Sequence, residues 1–466
     1  MRNYIILLSL LLPFVASGQM LKGTITDSKG VALIGANVYW MGTTIGVISD
    51  DNGDFKITRN DINNKRLIVS YIGYESDTLL ITKQTNVTIQ LKETTLNEFE
   101  VKGEHSGTYI SSIESIKTEV INQVELTKSA CCDLAGCFNT QGSVQPSTTN
   151  VVTNATELRI LGLSGVYNQV LIDGMPLIQG LTYTYGISTI PGTLVRNIYV
   201  AKGANSVLQG YESISGQINV ELIEPDNTEK VLINAYANSF FEKQFNANFA
   251  KKWKKWSTII AAHTTQPANK LDSDEDTFLD LPLLTRYSIY NKWKYGNTSD
   301  WGFNSRIGLR YVDEQRIGGQ THFNPANDEG TTNSYGQTVK FSQPEVYTKT
   351  GYRFNDVHHF VVIASAFQQE QTSWFGTTHY QAKQQNVYTN IQYELTWKKK
   401  HTLKTGISYR YQQLNENLSF GQDTLSRTYA GDYIKNEKIP GFFTENTLLF
   451  RDNTLSLITG VRVDNH

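Results

Sequence analysis

Apolar and polar residues alternate through the C-terminal half of the chain. In Leu403-Lys-Thr-Gly-Ile-Ser-Tyr-Arg-Tyr-Gln412 one face reads Leu, Thr, Ile, Tyr, Tyr and the other Lys, Gly, Ser, Arg, Gln. Segments 303–311, 387–397 and 455–463 repeat the pattern. A period of two predicts strands with one apolar face. A soluble sandwich alternates in the same way. Here Arg and Lys fall consistently on the polar face, which suits strands with lipid outside and a wet lumen inside. Roughly eleven such strands fit between Glu229 and His466. Tight connections are expected near 251–255, 296–300, 355–356, 398–400 and 452–453. Long ones are expected at 266–282, 316–342, 372–383 and 416–440. Short turns on one rim and long loops on the other are the habit of membrane barrels.

The first half reads differently. Residues 1–18 have the form of a secretory signal: Arg2, an apolar core from Tyr4 to Val15, then small residues Ala16-Ser-Gly18, with Gln19 starting the mature chain. Segments 21–26, 36–40, 55–58, 67–72 and 87–91 are strand candidates separated by the turn signals Asp27-Ser-Lys-Gly30, Asp50-Asp-Asn-Gly53 and Gly73. Short strands at this spacing predict a small sandwich. Within 115–223, a helix is expected over 125–138 and strands over 158–160, 169–172, 195–200 and 216–222. Gly162, Gly174, Gly203, Gly210 and Gly216 punctuate them.

Composition narrows the class. The chain has 466 residues, 39% of them hydrophobic. After the first residues no apolar run of about eighteen occurs, which excludes spanning helices as the main architecture. The 25 Tyr, 20 Phe and 7 Trp fit a barrel with aromatic girdles. A net charge of −2 gives no bulk electrostatic case for nucleic acid. Three Cys in an exported chain are too few for a disulfide scaffold. No Ser-His-Asp or Cys-His spacing and no phosphate loop point to an enzyme.

The ordered motifs Arg159-Ile-Leu-Gly162, Ile172-Asp-Gly-Met-Pro176, Val200-Ala-Lys-Gly203, Gly210 and Gly216-Gln-Ile-Asn-Val220 resemble the plug domain of TonB-dependent outer-membrane receptors. Ala204 stands where that family usually has Pro, and Leu208-Gln-Gly210 replaces its frequent Leu-Tyr-Gly. The signature residues are Arg159, Gly162, Asp173, Gly174, Pro176, Lys202, Gly203, Gly210, Gly216 and Asn219. Upstream, Gly23, Asp27, Gly30, Gly35-Ala36, Asp50, Gly53-Asp-Phe55 and Tyr71-Ile-Gly-Tyr74 resemble the carboxypeptidase-regulatory-like domain that precedes many Bacteroidetes transporters. Asn97, Glu98, Phe99, Glu100 and Val101, between the two, look like a TonB box. An exposed extended segment of this kind pairs its backbone with a partner's sheet edge.

The resemblance implies a mainly β fold in five parts. These are a signal peptide (1–18), a β-sandwich (19–92), a TonB-box linker (93–107), an α+β plug (108–224) and a partial antiparallel transmembrane β-barrel (225–466). About 11 of the roughly 22 strands of a plugged barrel would be present, so the chain reads as C-terminally truncated. It further implies a receptor in the cell outer membrane, with the N-terminal domain and box in the periplasm. Its partners would be TonB with its energising complex, outer-membrane lipid and an extracellular solute, and no nucleic acid. Binding would occur at the long loops and the plug near 173–185, and the plug would be displaced by TonB.

One cluster stands apart: Cys131, Cys132 and Cys137. Soft sulfur ligands suit copper or zinc, and a vicinal Cys pair before a Leu resembles a Bacteroidetes receptor subfamily associated with heavy metals. Met175, His322 and His379 would add ligands. The alternative is that Cys131 and Cys132 are core residues or a strained vicinal disulfide, with Cys137 a small buried hydrophobe. No resident cofactor is implied beyond such a metal. Metal-complex import and a surface-binding or signalling receptor without transport are therefore the competing functions, with a passive porin as a third. Asp50-Asp-Asn-Gly-Asp54 and Asp272-Ser-Asp-Glu-Asp276 resemble pieces of calcium loops, though Thr277 and Leu283 replace the Gly and Glu such a loop needs. Both are expected to be solvated turns.

Overall fold

The structure is a computed structural model. It describes residues 20–92 apart from 29, 42, 44, 59–65, 72–73, 75 and 83, then 118–121, Leu126 and 133–139. From 141 to 466 it describes all but 204–205, 298–300, 399–400, 422–428 and 451–454. The proposed signal, the linker, Asn97 to Val101, Cys131 and Cys132 lie outside the described residues. The chain divides into two compact units, Met1–Glu104 and His105–His466.

The first unit packs two sheets. One runs β4 (Asp54–Thr58), β1 (Met20–Thr26), β7 (Asn86–Gln90); the other runs β3 (Gly46–Ile48), β2 (Asn37–Trp40), β5 (Arg66–Ser70), β6 (Asp77–Leu80). Alternate residues of both sheets, among them Ile25, Val38, Trp40, Phe55, Leu67 and Val69, meet in one core. β3 and β6 escape a reading by period because one has three residues and the other exposes Asp77, Thr78 and Leu80. Gly23 is obligatory at the crossing of β1: a Cβ there would lie 2.5 Å from the Val87 carbonyl oxygen and 2.6 Å from the Phe55 ring. The Asp50 turn matches its solvated reading. Its carboxylate accepts the N–H groups of Asn52 (3.0 Å) and Asp54 (2.9 Å), with Gly53 at φ 76°.

The second unit holds a central domain against an eleven-stranded antiparallel sheet. The central domain contains a sheet ordered β12 (Met175–Ile178), β11 (Asn168–Ile172), β14 (Gly216–Leu222), β13 (Val195–Lys202), β8 (Thr118–Ile121). A hairpin of β9 (Val144–Asn150) and β10 (Ala155–Ile160) accompanies it. The helix expected over 125–138 is not continuous. Leu126 is helical, but Asp133 bridges to Pro191, and Gly136–Phe138 is a single 3-10 turn. The Asp133 carboxylate accepts the Gly136 N–H at 2.9 Å, a local bond made just ahead of that 3-10 turn.

The large sheet keeps sequence order: β15 (Val231–Ala237), β16 (Lys243–Trp253), β17 (Trp256–Gln266), β18 (Leu283–Tyr295), β19 (Gly302–Gly319), β20 (Gly336–Arg353), β21 (His358–Phe375), β22 (Thr378–Trp397), β23 (His401–Phe420), β24 (Gly431–Phe450), β25 (Leu455–Asp464). The strand number matches expectation, as do the tight turns near 251–255 and 355–356. Two of the long connections do not. Segment 372–383 is a hairpin in which Phe375 pairs with Thr378, and 416–440 is mostly paired strand. Both were misread because above the apolar band both faces turn polar, which erases the period while the ladder continues. Strands of 18 residues such as β19 run about 60 Å, well beyond the roughly 25 Å band that lipid covers.

The faces are sorted as the period predicted. On β19, Phe303, Ile307, Leu309 and Tyr311 point outward and Asn304, Arg306, Arg310, Glu314 and Arg316 inward. Near the short turns the outer face carries Trp253, Trp256, Trp293, Tyr295 and Phe303, packed ring on ring at 4.9–6.3 Å. Such a girdle marks a membrane interface. No helix among the described residues is long and apolar enough to cross a membrane, which says nothing of strands.

Candidate functional site at the plug and the inner wall

The turn between β11 and β12 organises the site. Asp173 and Gly174 both take positive φ (51° and 81°), the twist that suits a two-residue hairpin. Asn219 Oδ1 accepts the Gly174 N–H at 2.9 Å and Asp173 Oδ1 accepts the Leu222 N–H at 2.9 Å, so the turn is tied to β14. The other oxygen of Asp173 faces the wall. It accepts the Tyr347 hydroxyl at 2.7 Å and pairs with Lys292 Nζ at 3.0 Å.

Glu224 completes the cluster. Its two oxygens meet Lys292 (2.7 Å), Lys294 (3.2 Å) and Arg306 (3.2 Å), while Lys294 also holds Asp226 at 2.9 Å. Burial alone would raise the Glu224 carboxyl. Lys292, Arg306 and Lys294 outweigh it and hold the group well below the usual carboxylate range. Lys292 itself is fully buried. Charges this deep persist only when paired.

Further anchors reach the plug from other strands. Arg316 Nη1 donates to the carbonyl oxygens of Thr153 (2.9 Å) and Asn154 (2.8 Å), Nη2 donates to Ser188 Oγ (2.7 Å), and the guanidinium lies 4.7 Å over the Tyr185 ring. Arg310 donates to Thr189 Oγ1 at 2.9 Å. On the far side Arg410 pairs with Glu212, Arg462 donates to the Val207 carbonyl at 3.1 Å, and Ser206 donates to Glu445 at 2.6 Å. Between these groups the contact is neutral. Gln384 accepts the Leu181 N–H (2.6 Å) and donates to the Gln179 carbonyl (3.1 Å).

The sequence-derived residues therefore divide. Asp173, Gly174 and Asn219 meet at one turn, and Pro176 lies in β12 just beyond it. Gly216 is where β14 passes close to its neighbour: a Cβ there would lie 2.6 Å from the Ala201 carbonyl oxygen. Gly162, Gly203 and Gly210 all take positive φ. Lys202 stands 3.9 Å from Glu119 at the domain surface. Arg159 braces Glu157 at 2.6 Å, and Glu157 also accepts Ser164 Oγ (2.8 Å) and the Gly165 N–H (2.9 Å). Desolvation raises the Glu157 carboxyl, but these bonds win and lower it.

Other expectations change. Asp173 is engaged with the wall and β14, and the Tyr185 hydroxyl is bonded to Thr153 at 3.1 Å with its ring stacked on Phe341. Asp173 and Tyr185 are thus anchors and not parts of an open apex, while Gly180 and Thr184 between them are exposed. Cys137 is buried and disulfide-bonded, so its sulfur is not a free thiolate for a metal. The Asp272, Asp274 and Asp276 oxygens lie within 4.8 Å of one another. They are occupied with turn-making, since Asp272 accepts the N–H groups of Asp276 and Thr277 at 3.0 Å. Glu224, Lys292, Arg306 and Gln384 were missed as site residues. The signal for the cations was present in their placement on the polar face of each strand.

Comparison with known proteins agrees with this geometry. A family model described as a TonB-dependent receptor plug domain matches residues 113–217, and a CarboxypepD_reg-like domain matches 21–102. The TonB-dependent receptor SusC of Bacteroides thetaiotaomicron is 25% identical over 268 residues, covering 54% of this chain and 25% of its own length. The chain thus spans about a quarter of that relative. The ferric yersiniabactin uptake receptor FyuA of Yersinia pestis shares the fold, with a TM-score of 0.57 at 12% identity, covering 75% of this chain and 61% of FyuA. The copper transporter OprC does likewise, with a TM-score of 0.58 at 14% identity over 75% of this chain and 54% of OprC.

Proposed function

From the premise that this chain belongs to the TonB-dependent receptors, we propose that it imports a scarce solute across the outer membrane by plug gating. In this reading the solute binds at the long-loop rim. The Asn97 to Val101 segment then pairs with the periplasmic domain of TonB, and pulling on it moves the plug off the wall. The N-terminal sandwich and the short turns face the periplasm. The observation that carries the reading is the buried cluster of Asp173 and Glu224 on Lys292. It holds a folded domain against the polar inner face of a lipid-banded sheet, as a gate requires.

A passive porin needs no such anchored domain. Import of a metal through Cys131, Cys132 and Cys137 is disfavoured by the disulfide at Cys137. The likeness to the copper transporter OprC is one of fold. The test is a photo-crosslinker at Phe99 in the full-length protein, in cells. Crosslinks to TonB that disappear when the flanking 96–98 and 100–101 are deleted support the reading. A correctly inserted receptor that yields no crosslink to TonB sinks it.

A further inference from the structure

The anchors of the plug fall on two sides. β18, β19 and β20 grip it through Lys292, Lys294, Arg306, Arg310, Arg316 and Tyr347, and β23, β24 and β25 through Arg410, Glu445 and Arg462. The inner face of β22 lies between them and is chemically distinct. Going toward the short turns it reads Gln384, Asn386, Tyr388, Asn390, Gln392 and then Glu394, all buried. From Gln384 to Gln392 the file's own side chains are uncharged, with the Arg410 guanidinium of β23 5.9 Å over the Tyr388 ring. Gln384 and Asn390 donate to plug carbonyls, at Gln179 and Leu208. Charge-assisted bonds are roughly twice as strong as such neutral ones, so the plug separates from β22 more readily than from either flank.

The file also holds hydrogen-bonding capacity that the closed state does not use. Among the described residues, Asn386 Nδ2 and Asn390 Oδ1 are buried without a hydrogen-bond partner. So is Gln369 Oε1 on β21, whose residue pairs in register with Gln384. β18 and β19 together leave one such atom, Arg286 Nη2. Polar atoms this deep usually have partners. Amides offer a donor and an acceptor side by side, which matches hydroxyl and amide groups and gives no counter-charge to an ion.

We propose that a solute passing the plug travels along the inner face of β22, and that this file favours neutral solutes dense in hydroxyl or amide groups. The inference rests on the import reading. It is tested in cells carrying the full-length protein with Asn386→Cys or Asn390→Cys, and with Ser288→Cys, which is buried on β18, as the comparison. The parent protein, with its own cysteines, sets the background. A neutral glucosyl methanethiosulfonate and the anionic ethylsulfonate analogue are added outside, with and without an uncoupler.

Energised labelling at Asn386→Cys and Asn390→Cys is expected to exceed the uncoupled rate about tenfold, a modest shift of population toward the open state. The neutral reagent is expected to react faster, and Ser288→Cys to stay at background. Energy-dependent labelling at Ser288→Cys in place of β22, or equal rates for the two reagents, overturns the path or its selectivity. Labelling that ignores the proton gradient at every position overturns the import reading and the path with it.

Discussion

Replacing Lys292 by Met removes a side chain that bridges Asp173 and Glu224. Lys292 Nζ lies 3.0 Å and 2.7 Å from their oxygens. Breaking a buried ion pair and leaving its partner behind costs about 3–5 kcal/mol. Here the low end applies, because Glu224 keeps Lys294 and Arg306, and Asp173 keeps the Tyr347 hydroxyl and the Leu222 N–H. At ~1.4 kcal/mol per tenfold, about 3 kcal/mol makes local opening of the turn roughly a hundredfold more frequent. The reporters are the backbone amides of Gly174 and Leu222, whose bonds depend on the turn. Hydrogen exchange by mass spectrometry, on the full-length protein in nanodiscs, reads them directly. Lys294→Met, which leaves Lys292 in place, is expected to speed exchange far less. Combining Lys292→Met with Glu224→Gln should recover part of the protection, since it removes the stranded charge. Unchanged exchange in Lys292→Met, or an equal effect of Lys294→Met, means that Lys292 does not hold the turn.

Other predictions test separate links. Glu224 is held below the ordinary carboxylate range, so its contribution is fully present above that range. It is lost as pH falls through the depressed value. The protection factor of the Leu222 amide should therefore hold from neutral pH down to the ordinary carboxylate range and fall progressively below it; a fall beginning near neutrality contradicts this. Gln384→Leu strands the Leu181 N–H and the Gln179 carbonyl, at about 1–3 kcal/mol each. It should raise proteolytic nicking around 179–182 without loss of the folded barrel band on an unheated gel, and equal nicking in the parent speaks against it. Gly23→Leu places a side chain into the Val87 carbonyl and Phe55 ring and should destabilise the sandwich by about 1–3 kcal/mol. Protease sensitivity confined to the N-terminal unit checks this.

Much of the fold was legible because its physics is local. Alternation on β19 and β23 fixed which residues face lipid, and Asp173-Gly174 announced a two-residue turn by composition alone. Local physics also explains the failures. Above the apolar band, Gln368 to Thr372 carry polar side chains on both faces, so the period vanished where the ladder did not. The helix expected over 125–138 gives way where the Asp133 carboxylate accepts the Gly136 N–H and Asp133 bridges to Pro191, the latter a contact between residues distant in sequence. The site was half legible. Arg306 and Arg310 could be assigned to the inner face, but nothing in the chain says that Lys292 sits where Asp173 and Glu224 converge. That meeting is set by the register of β18 against β19 and by the seating of the plug.

We propose that a pull at 97–101 moves the plug while the wall stays. Force spectroscopy tests it most directly, with the periplasmic domain of TonB on the tip and the full-length receptor in a supported bilayer. A stepwise extension of the chain is expected before TonB detaches, lost when 96–101 is deleted and shifted to lower force by Lys292→Met. Detachment of TonB with no extension, or the same extension in the deletion variant, contradicts it.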